Sequence, residues 1–164
     1  RVAPPAPPAR RLRLVLVDFG LARRFRGRAG SIRPARSSAP FRGTLRYAAA
    51  RVHLGEEAGR ADDLWSLLYV MLDLMDRRSL PWADTEDENE ETAALGRIKA
   101  AVPLQRLCRF CPAELNEVGR HLQELGGPER PDYAFLAGLI QLSLRRLNVH
   151  PLHLFDWEPS PNAR

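Results

Sequence analysis

A carboxylate stands at the end of a short apolar run near the beginning of the sequence. Residues 12–17 read LRLVLV and are followed by Asp18, Phe19 and Gly20. A run this rich in Leu and Val predicts a short strand, and the glycine two residues after Asp18 lets the backbone turn sharply. Because Mg²⁺ prefers hard oxygen ligands, a carboxylate placed here could hold a Mg²⁺ ion that bridges nucleotide phosphates. Asp18 is therefore the candidate metal ligand.

The elements that would have to position this carboxylate are mainly helical. Residues 18 to about 60 lack helical periodicity and are rich in Gly, Pro, Ser and Arg, which predicts a long loop; loops of that length tend to be functional or disordered. Apolar residues then recur at steps of three and four, which predicts a helix over residues 62–76 that is buried on most sides. Further helices are predicted from about residue 90, over about 112–125 and after Asp132, and the acidic stretch 84–91 is expected to be an exposed loop.

Composition and cysteine content limit the number of domains, the presence of membrane spans and the cellular compartment. The chain has 164 residues, of which 45% are hydrophobic and 27% charged, as expected for one globular domain. No apolar run reaches the roughly 18 residues of a membrane span. We read residues 1–11 as a Pro/Ala-rich linker rather than a signal peptide, and the missing initiating Met indicates either a fragment or a trimmed start. Cys108 and Cys111 give no disulfide framework and have no second pair for zinc, which fits the cytosol or the nucleus.

Charge is distributed unevenly along the chain. Residues 1–60 carry a net charge of +11 and residues 61–164 a net charge of −6, giving the total of +5. The basic half could attract phosphate or an acidic peptide. A nucleic-acid interface would call for aromatic residues interleaved with the basic ones, and this pattern is not evident. A helical nucleic-acid-binding protein nevertheless stays an alternative, for which affinity should fall steeply with salt.

Several short motifs occur in a fixed order along the sequence. They are VDFGLAR, FRGTLRYAA, GRADDLWSLLY, SLPW, PDY and FDWE, between residues 14 and 158. Together they resemble the C-terminal lobe of the casein kinase 1 group of serine/threonine protein kinases, and most closely its tau-tubulin kinase branch. The resemblance implies a mainly α, protein-kinase-like C-terminal lobe over residues 12–158, with one short strand, an activation segment at about 18–53, about four helices and a tail at 159–164.

The resemblance also implies roles for single residues at the start of that segment. Asp18 would bind Mg²⁺, and Phe19 and Gly20 would open the activation segment. Thr44 would lie beside the catalytic aspartate and favour a hydroxyl acceptor.

Three further roles follow from the same resemblance. Arg46, with Lys99 nearby, would read an acidic or phosphorylated substrate, since a planar guanidinium matches phosphate. Asp63 would tether the backbone of the catalytic loop. Two plainer interpretations stay open: Arg46 as a surface arginine, and Asp63 as an acid that stabilises a helix N-terminus. The chain departs from the family at Ala49 and Arg51, where relatives tend to carry Ser and Asn; the loss of their side-chain hydrogen bonds makes substrate recognition the least supported inference.

Most of a kinase active site has no candidate in this sequence. A glycine-rich loop, a strand lysine, a helix glutamate and a catalytic loop with Asp and Asn would all precede residue 18. Residues 1–17 contain no Asp, Asn, Glu, Lys or Gly. We therefore expect no catalytic residue in this chain and no phosphoryl transfer by it alone, with ATP and Mg²⁺ serving the full-length kinase only.

Two functions follow. The first is part of a serine/threonine kinase acting on a protein substrate, acidic or phosphorylated and of cytoskeletal type by resemblance, with neither membrane nor nucleic acid as partner. The alternative is a pseudokinase-like binding module, which the Pro/Ala-rich opening favours.

Overall fold

The fold is built from short and medium helices. A computed structural model describes residues 14–83, 92–150 and 153; the predicted linker, the acidic stretch 84–91, FDWE and the tail lie outside the described residues. The elements are α1 (Ala50–His53), α2 (Arg60–Met75), a 3₁₀ turn (Arg77–Ser79), α3 (Thr92–Ala101), α4 (Leu104–Leu107), α5 (Ala113–Gln123) and α6 (Tyr133–Arg146). Four helices of ten or more residues confirm the predicted mainly α fold class.

The core forms where α2, α5 and α6 pack together. α2 packs against α5, and α5 against α6. The largest fully buried side chains of the core include Leu68, Leu72, Trp82, Leu115 and Leu122. α1 packs separately against α3, where a Cβ at Gly96 would lie 2.7 Å from the Cβ of His53. Glycine is therefore needed at residue 96 for the two helices to approach this closely.

α2 matches its predicted position and, apart from one exposed stripe, its predicted burial. It begins at Arg60, two residues early, and ends at Met75. Leu68 and Leu72 are fully buried, whereas Leu67 and Met75 are about half exposed and Leu74 is 82% exposed. The other exposed residue of α2 is Asp63, and the remaining positions are buried or half-buried, which agrees with the expected burial on most sides.

Local sequence signals placed the ends of two helices correctly. Asp132 precedes α6, and its carboxylate accepts a hydrogen bond of 2.9 Å from the backbone N–H of Phe135. This is the predicted N-cap, which satisfies one of the free N–H groups of the first turn. Pro112 immediately precedes α5, which ends at Gln123, two residues before the predicted end.

The predicted strand over residues 12–17 is not formed by its described part. Residues 14–17 have no strand assignment, and all four side chains are well exposed. An apolar run becomes a strand only when a neighbouring strand accepts its backbone hydrogen bonds, and the only β pairing in the described residues is a single bridge between Arg26 and Ile32.

Among the described helices, none combines the length and apolar character needed to cross a membrane.

Candidate functional site

The candidate site is the segment of residues 18–53, and its first residues stand apart from the core. Asp18 is exposed and adopts a left-handed backbone conformation, with φ of 62°. Its Oδ1 accepts a hydrogen bond of 3.1 Å from the N–H of Gly20, and Phe19 is exposed beside it. No group of three or more His, Cys, Asp or Glu able to hold a metal occurs among the described residues. Asp18 could thus supply one oxygen ligand, and further ligands would have to come from substrate phosphates, water or other protein groups.

The middle of the segment is fixed against the loop that leads into α2. Glu57 forms ion pairs with the guanidinium groups of Arg23 and Arg36, and its Oε2 accepts a hydrogen bond of 2.6 Å from the backbone N–H of Arg36. The N–H of Ala39 donates to the carbonyl of Gly55 at 3.0 Å. These contacts hold residues 36–39 in place without regular secondary structure.

Thr44 begins a tight turn near the other end of the segment. Its carbonyl accepts hydrogen bonds from the N–H groups of Tyr47 and Ala48, at 3.1 and 3.0 Å. Thr44 itself is exposed. Residues 44–48, which we call the Thr44 turn, therefore have a defined backbone and leave Thr44 accessible to a neighbouring element.

Lys99 of α3 donates hydrogen bonds to the backbone of the Thr44 turn. The residue is 3% exposed, and its ammonium donates to the carbonyls of Leu45, Arg46 and Ala48 at 2.7, 3.0 and 2.8 Å. The same Nζ lies 5.3 and 5.1 Å from the ring centroids of Tyr69 and Trp82.

The surroundings of Lys99 have two opposing effects on its protonation. Burial lowers the pKa of Lys99 to about 7. Three carbonyls and two ring faces act in the opposite direction, since each favours the ammonium over the neutral amine. We therefore treat Lys99 as an ammonium at neutral pH and below.

Arg46 lies in the same turn and faces α2. Its guanidinium pairs with Asp73 at 3.1 Å and is 10% exposed, and the hydroxyl of Tyr47 donates to the other Asp73 oxygen at 2.8 Å. The carbonyl of Arg46 accepts from the indole N–H of Trp82 at 2.9 Å. The structure thus brings Arg46 and Lys99 together as expected, but their contacts are with Asp73 and backbone carbonyls. Anion binding by this pair stays a prediction, and an anion would have to compete with those partners.

The adjacent carboxylates of α2 differ sharply. Asp62 is 3% exposed and accepts from Arg51 Nη2 at 2.9 Å and from the N–H of Gly59 at 2.8 Å. Asp63 is exposed as a residue, and desolvation of its carboxyl group, together with the neighbouring charge of Asp62, raises its pKa. Asp62 therefore makes the local structural contacts, and a role of Asp63 in holding the catalytic loop stays a prediction.

His53 packs against the Thr44 turn and against Phe41, which lies just before it. Its ring stacks on Phe41 with centroids 4.8 Å apart, and Nε2 lies 3.2 Å from the carbonyl of Leu45. Burial, and secondarily the charge of Lys99, lowers the pKa of His53 to about 4. Neutral His53 with a proton on Nε2 satisfies that carbonyl.

Sequence reasoning missed Asp62, Asp73 and His53. The position of Asp62, three residues after Gly59, was an available signal, since an acid at the third helical position often returns a hydrogen bond to the helix start. Nothing local in the sequence identified Asp73 or His53, because their partners lie 27 and 8 residues away in the chain.

The two cysteines lie outside the segment. Cys108 is buried and Cys111 half-buried, and both are free thiols. Burial, and secondarily the neighbouring Cys111, raises the pKa of Cys108 to about 12, and burial also raises the pKa of Cys111. Because metal binding and redox exchange need the thiolate, this environment disfavours both.

Comparison with known proteins identifies relatives for almost the whole chain. It is 37% identical over 156 residues to a probable serine/threonine-protein kinase of Dictyostelium discoideum, which covers 95% of this chain and 30% of the relative. It is 33% identical over 148 residues to an inactive tau-tubulin kinase of Caenorhabditis elegans, which covers 87% of this chain and 50% of the relative. The chain is a relative of the serine/threonine protein kinases. No family model matches it.

The chain spans about a third to a half of the length of the curated proteins it matches. The described residues are mainly helical and almost without strand, which is consistent with part of a kinase C-terminal lobe. Since one relative is named a probable kinase and the other inactive, the relationship alone does not determine whether phosphate is transferred.

Proposed function

We propose that the chain is part of a serine/threonine protein kinase of the casein kinase 1 group, closest to its tau-tubulin kinase branch. The whole protein would transfer the γ-phosphoryl group of ATP to Ser or Thr of protein substrates. The observation that carries this proposal is the Thr44 turn, because Lys99 fixes its backbone while Thr44 is left accessible. An activation segment over residues 18–53 needs such a fixed end beside the acceptor hydroxyl.

In the whole kinase, Asp18 and Asp63 would each meet a partner that the described residues do not supply. Asp18 would hold Mg²⁺, which would neutralise charge on the phosphates of bound ATP. Asp63 would accept hydrogen bonds from the catalytic-loop backbone. Its exposure supports this role, and N–H donors would favour its charged form and reverse the upward shift of its pKa.

The chain by itself is proposed to be inactive. Residues 1–17 provide no Asp, Asn, Glu, Lys or Gly, so neither nucleotide positioning nor removal of the acceptor proton has a candidate group there. Among the described residues, the exposed Asp18 belongs to no group of three or more His, Cys, Asp or Glu that could hold a metal.

A pseudokinase-like binding module is the second candidate function. It is favoured by the relative that is named an inactive tau-tubulin kinase. In both cases the proposed partner is a protein, acidic or phosphorylated and of cytoskeletal type, in the cytosol or the nucleus. Arg46 is the proposed contact, with its guanidinium released from Asp73 when the partner binds.

A chimera tests which candidate is right. The matched 156-residue region of the Dictyostelium kinase would be replaced by this chain, and transfer of labelled phosphate from Mg-ATP to casein would be measured. Active intact Dictyostelium protein is the positive control. The kinase proposal expects Mg²⁺-dependent transfer by the chimera and its loss in Asp18→Asn. A chimera that is folded by circular dichroism and binds its substrate but transfers nothing would support the binding module instead.

A further inference from the structure

A cavity of about 210 Å³ lies among the five helices α1 to α5. Its lining is largely apolar and includes Trp65, Val102, Leu104, Leu107, Leu122 and Leu125. Lys99, whose ammonium donates to the backbone of the Thr44 turn, also lines the cavity. A ligand bound there would therefore contact the residue that holds that turn in place.

Packing within the helices fixes the shape of this cavity. Leu104 of α4 lies so close to α5 that a Cβ at Gly119 would be 2.6 Å from its Cδ2. On α2, the rings of Trp65 and Tyr69 have centroids 5.6 Å apart, and Tyr69 packs edge-on against Trp82 with centroids 5.2 Å apart. Because these side chains are already ordered, ligand binding would cost little conformational entropy in the protein.

The hydroxyl of Tyr69 is the feature that points to a ligand. Tyr69 lines the cavity and is only 3% exposed. Within residues 14–83, 92–150 and 153, no hydrogen bond of this hydroxyl is found. A buried hydroxyl without a partner is costly, so groups of this kind are usually satisfied by protein, water or ligand. The cavity thus contains a donor and acceptor that the described protein groups do not use.

A carboxylate oxygen on the same helix provides a further acceptor. Asp62 lies seven residues before Tyr69, which places both on one face of α2, and it lines the same cavity. The described hydrogen bonds of its side chain, from Arg51 and from the N–H of Gly59, both end on Oδ2. In the described part of the chain, no donor to Oδ1 is found. Burial, and secondarily the charge of Asp62, raises the pKa of Tyr69, as expected for neighbouring groups on one wall.

The charges and size of the cavity favour a small neutral ligand. Arg51, Lys99 and Asp62 line it with a formal net charge of +1, which disfavours a cation. An anion would have to compete with the three carbonyls that accept from Lys99 and with Asp62, which pairs with Arg51. An apolar cavity of about 150 Å³ accommodates benzene, so 210 Å³ suits one aromatic ring with a small polar group.

We propose that this cavity binds a small neutral phenol, whose hydroxyl accepts a hydrogen bond from Tyr69 and donates one to Asp62 while its ring packs against Trp65 and the leucines. A ring hydroxyl has one donor and two acceptor sites, which matches the two protein groups that lack described partners. The inference involves no phosphoryl transfer, so failure of the proposed kinase function would leave it intact.

The test is a binding titration of the 164-residue chain followed by fluorine NMR. The probe is para-fluorophenol, and its match is para-fluorotoluene, which has the same ring without a hydrogen-bonding group. A purely apolar cavity would prefer the toluene, because the phenol would lose its hydrogen bonds to water. The proposal expects the reverse order, with the phenol bound about 5-fold more tightly. Affinity for the toluene equal to or greater than that for the phenol, or no binding of either, would overturn it, as would tighter binding of the anion para-fluorobenzoate.

Matched variants locate the contact within the protein. Tyr69→Phe should weaken binding of the phenol about 5-fold or more and leave that of the toluene within about 2-fold, since only the hydroxyl is lost. Tyr133→Phe removes an exposed hydroxyl outside the lining and should change neither affinity. Ala100→Trp places a large ring at an exposed position of the lining and should weaken binding of both probes.

Circular dichroism would verify that each variant folds. A folded Tyr69→Phe variant that binds the phenol as tightly as the unaltered chain would overturn the proposal. An equal loss in Tyr133→Phe, or unchanged binding of both probes by folded Ala100→Trp, would place the binding outside this cavity and would likewise overturn it.

Discussion

The two ends of the 18–53 segment differ in how many side-chain contacts they make with the described residues of this chain. At the C-terminal end, Lys99, Asp73 and His53 reach from three helices to the Thr44 turn. At the N-terminal end, Asp18 is exposed, and its described side-chain contact is with the N–H of Gly20 two residues away. The chain thus builds the end near the proposed acceptor hydroxyl and leaves the proposed metal-binding end to other groups.

This difference explains how a chain related to kinases can hold recognisable motifs without a complete site. The motif around residues 41–48 is supported by packing within the described helices, so its conformation does not need the rest of a kinase. The motif around Asp18 has no comparable support. Four predictions test this contrast, beginning with the largest expected effect.

Replacing Lys99 should release the Thr44 turn. Lys99→Ala removes the donor to three carbonyls and leaves a cavity beside Tyr69 and Trp82, so we expect a loss of about 3 to 4 kcal/mol in the free energy of unfolding. Urea denaturation would measure it. Lys99→Met, which keeps most of the volume but donates no hydrogen bond, should recover only part. A loss below about 1 kcal/mol in Lys99→Ala, equal to that of the exposed control Arg106→Gln, would show that the turn does not depend on Lys99.

His53 should make the stability of the same region pH-dependent. The unfolded histidine takes up a proton near pH 6.5, whereas the folded one does so near pH 4. The unfolded state therefore binds more protons between these values, and the free energy of unfolding should fall by about 2 to 3 kcal/mol as the pH drops from 6.5 to 4. Urea midpoints at intervals of half a pH unit would measure this. His53→Gln should flatten the profile in that window, and an unchanged slope would assign the effect to other groups.

The two adjacent acids of α2 should respond differently to the same substitution. Asp62→Ala removes the partner of Arg51 and the acceptor of the Gly59 N–H, and should cost about 1 to 2 kcal/mol. Asp63→Ala should cost nothing measurable, since its raised pKa means that the charged carboxylate does not stabilise this fold. Thermal denaturation of the two variants side by side would measure this. Equal losses would contradict the conclusion that Asp62 stabilises this fold and Asp63 does not.

Much of the fold could be predicted from the sequence because the determining signals were local. Periodic leucines placed α2, and Asp132 and Pro112 marked helix starts. Burial could not be read in the same way: Leu74 continues the apolar character of α2 yet is 82% exposed, since burial depends on which element packs alongside.

In the candidate site, too, the sequence did not predict contacts between residues far apart in the chain. The proximity of Arg46 and Lys99 was anticipated, but their engagement with Asp73 and with backbone carbonyls was not, because those contacts link residues 27 to 54 positions apart. The strand expected at residues 12–17 failed in its described part for a related reason: a strand is defined by its partner, and no local pattern supplies one.

The most direct test of the contrast between the two ends is an assay of phosphoryl transfer by the purified chain. The chain and its Asp18→Asn variant would be incubated with radiolabelled ATP, Mg²⁺ and casein. Because the Asp18 end lacks the groups that position nucleotide and accept the proton, we expect no label in casein above that of the variant, with or without Mg²⁺. Mg²⁺-dependent labelling by the chain that disappears in Asp18→Asn would contradict this account.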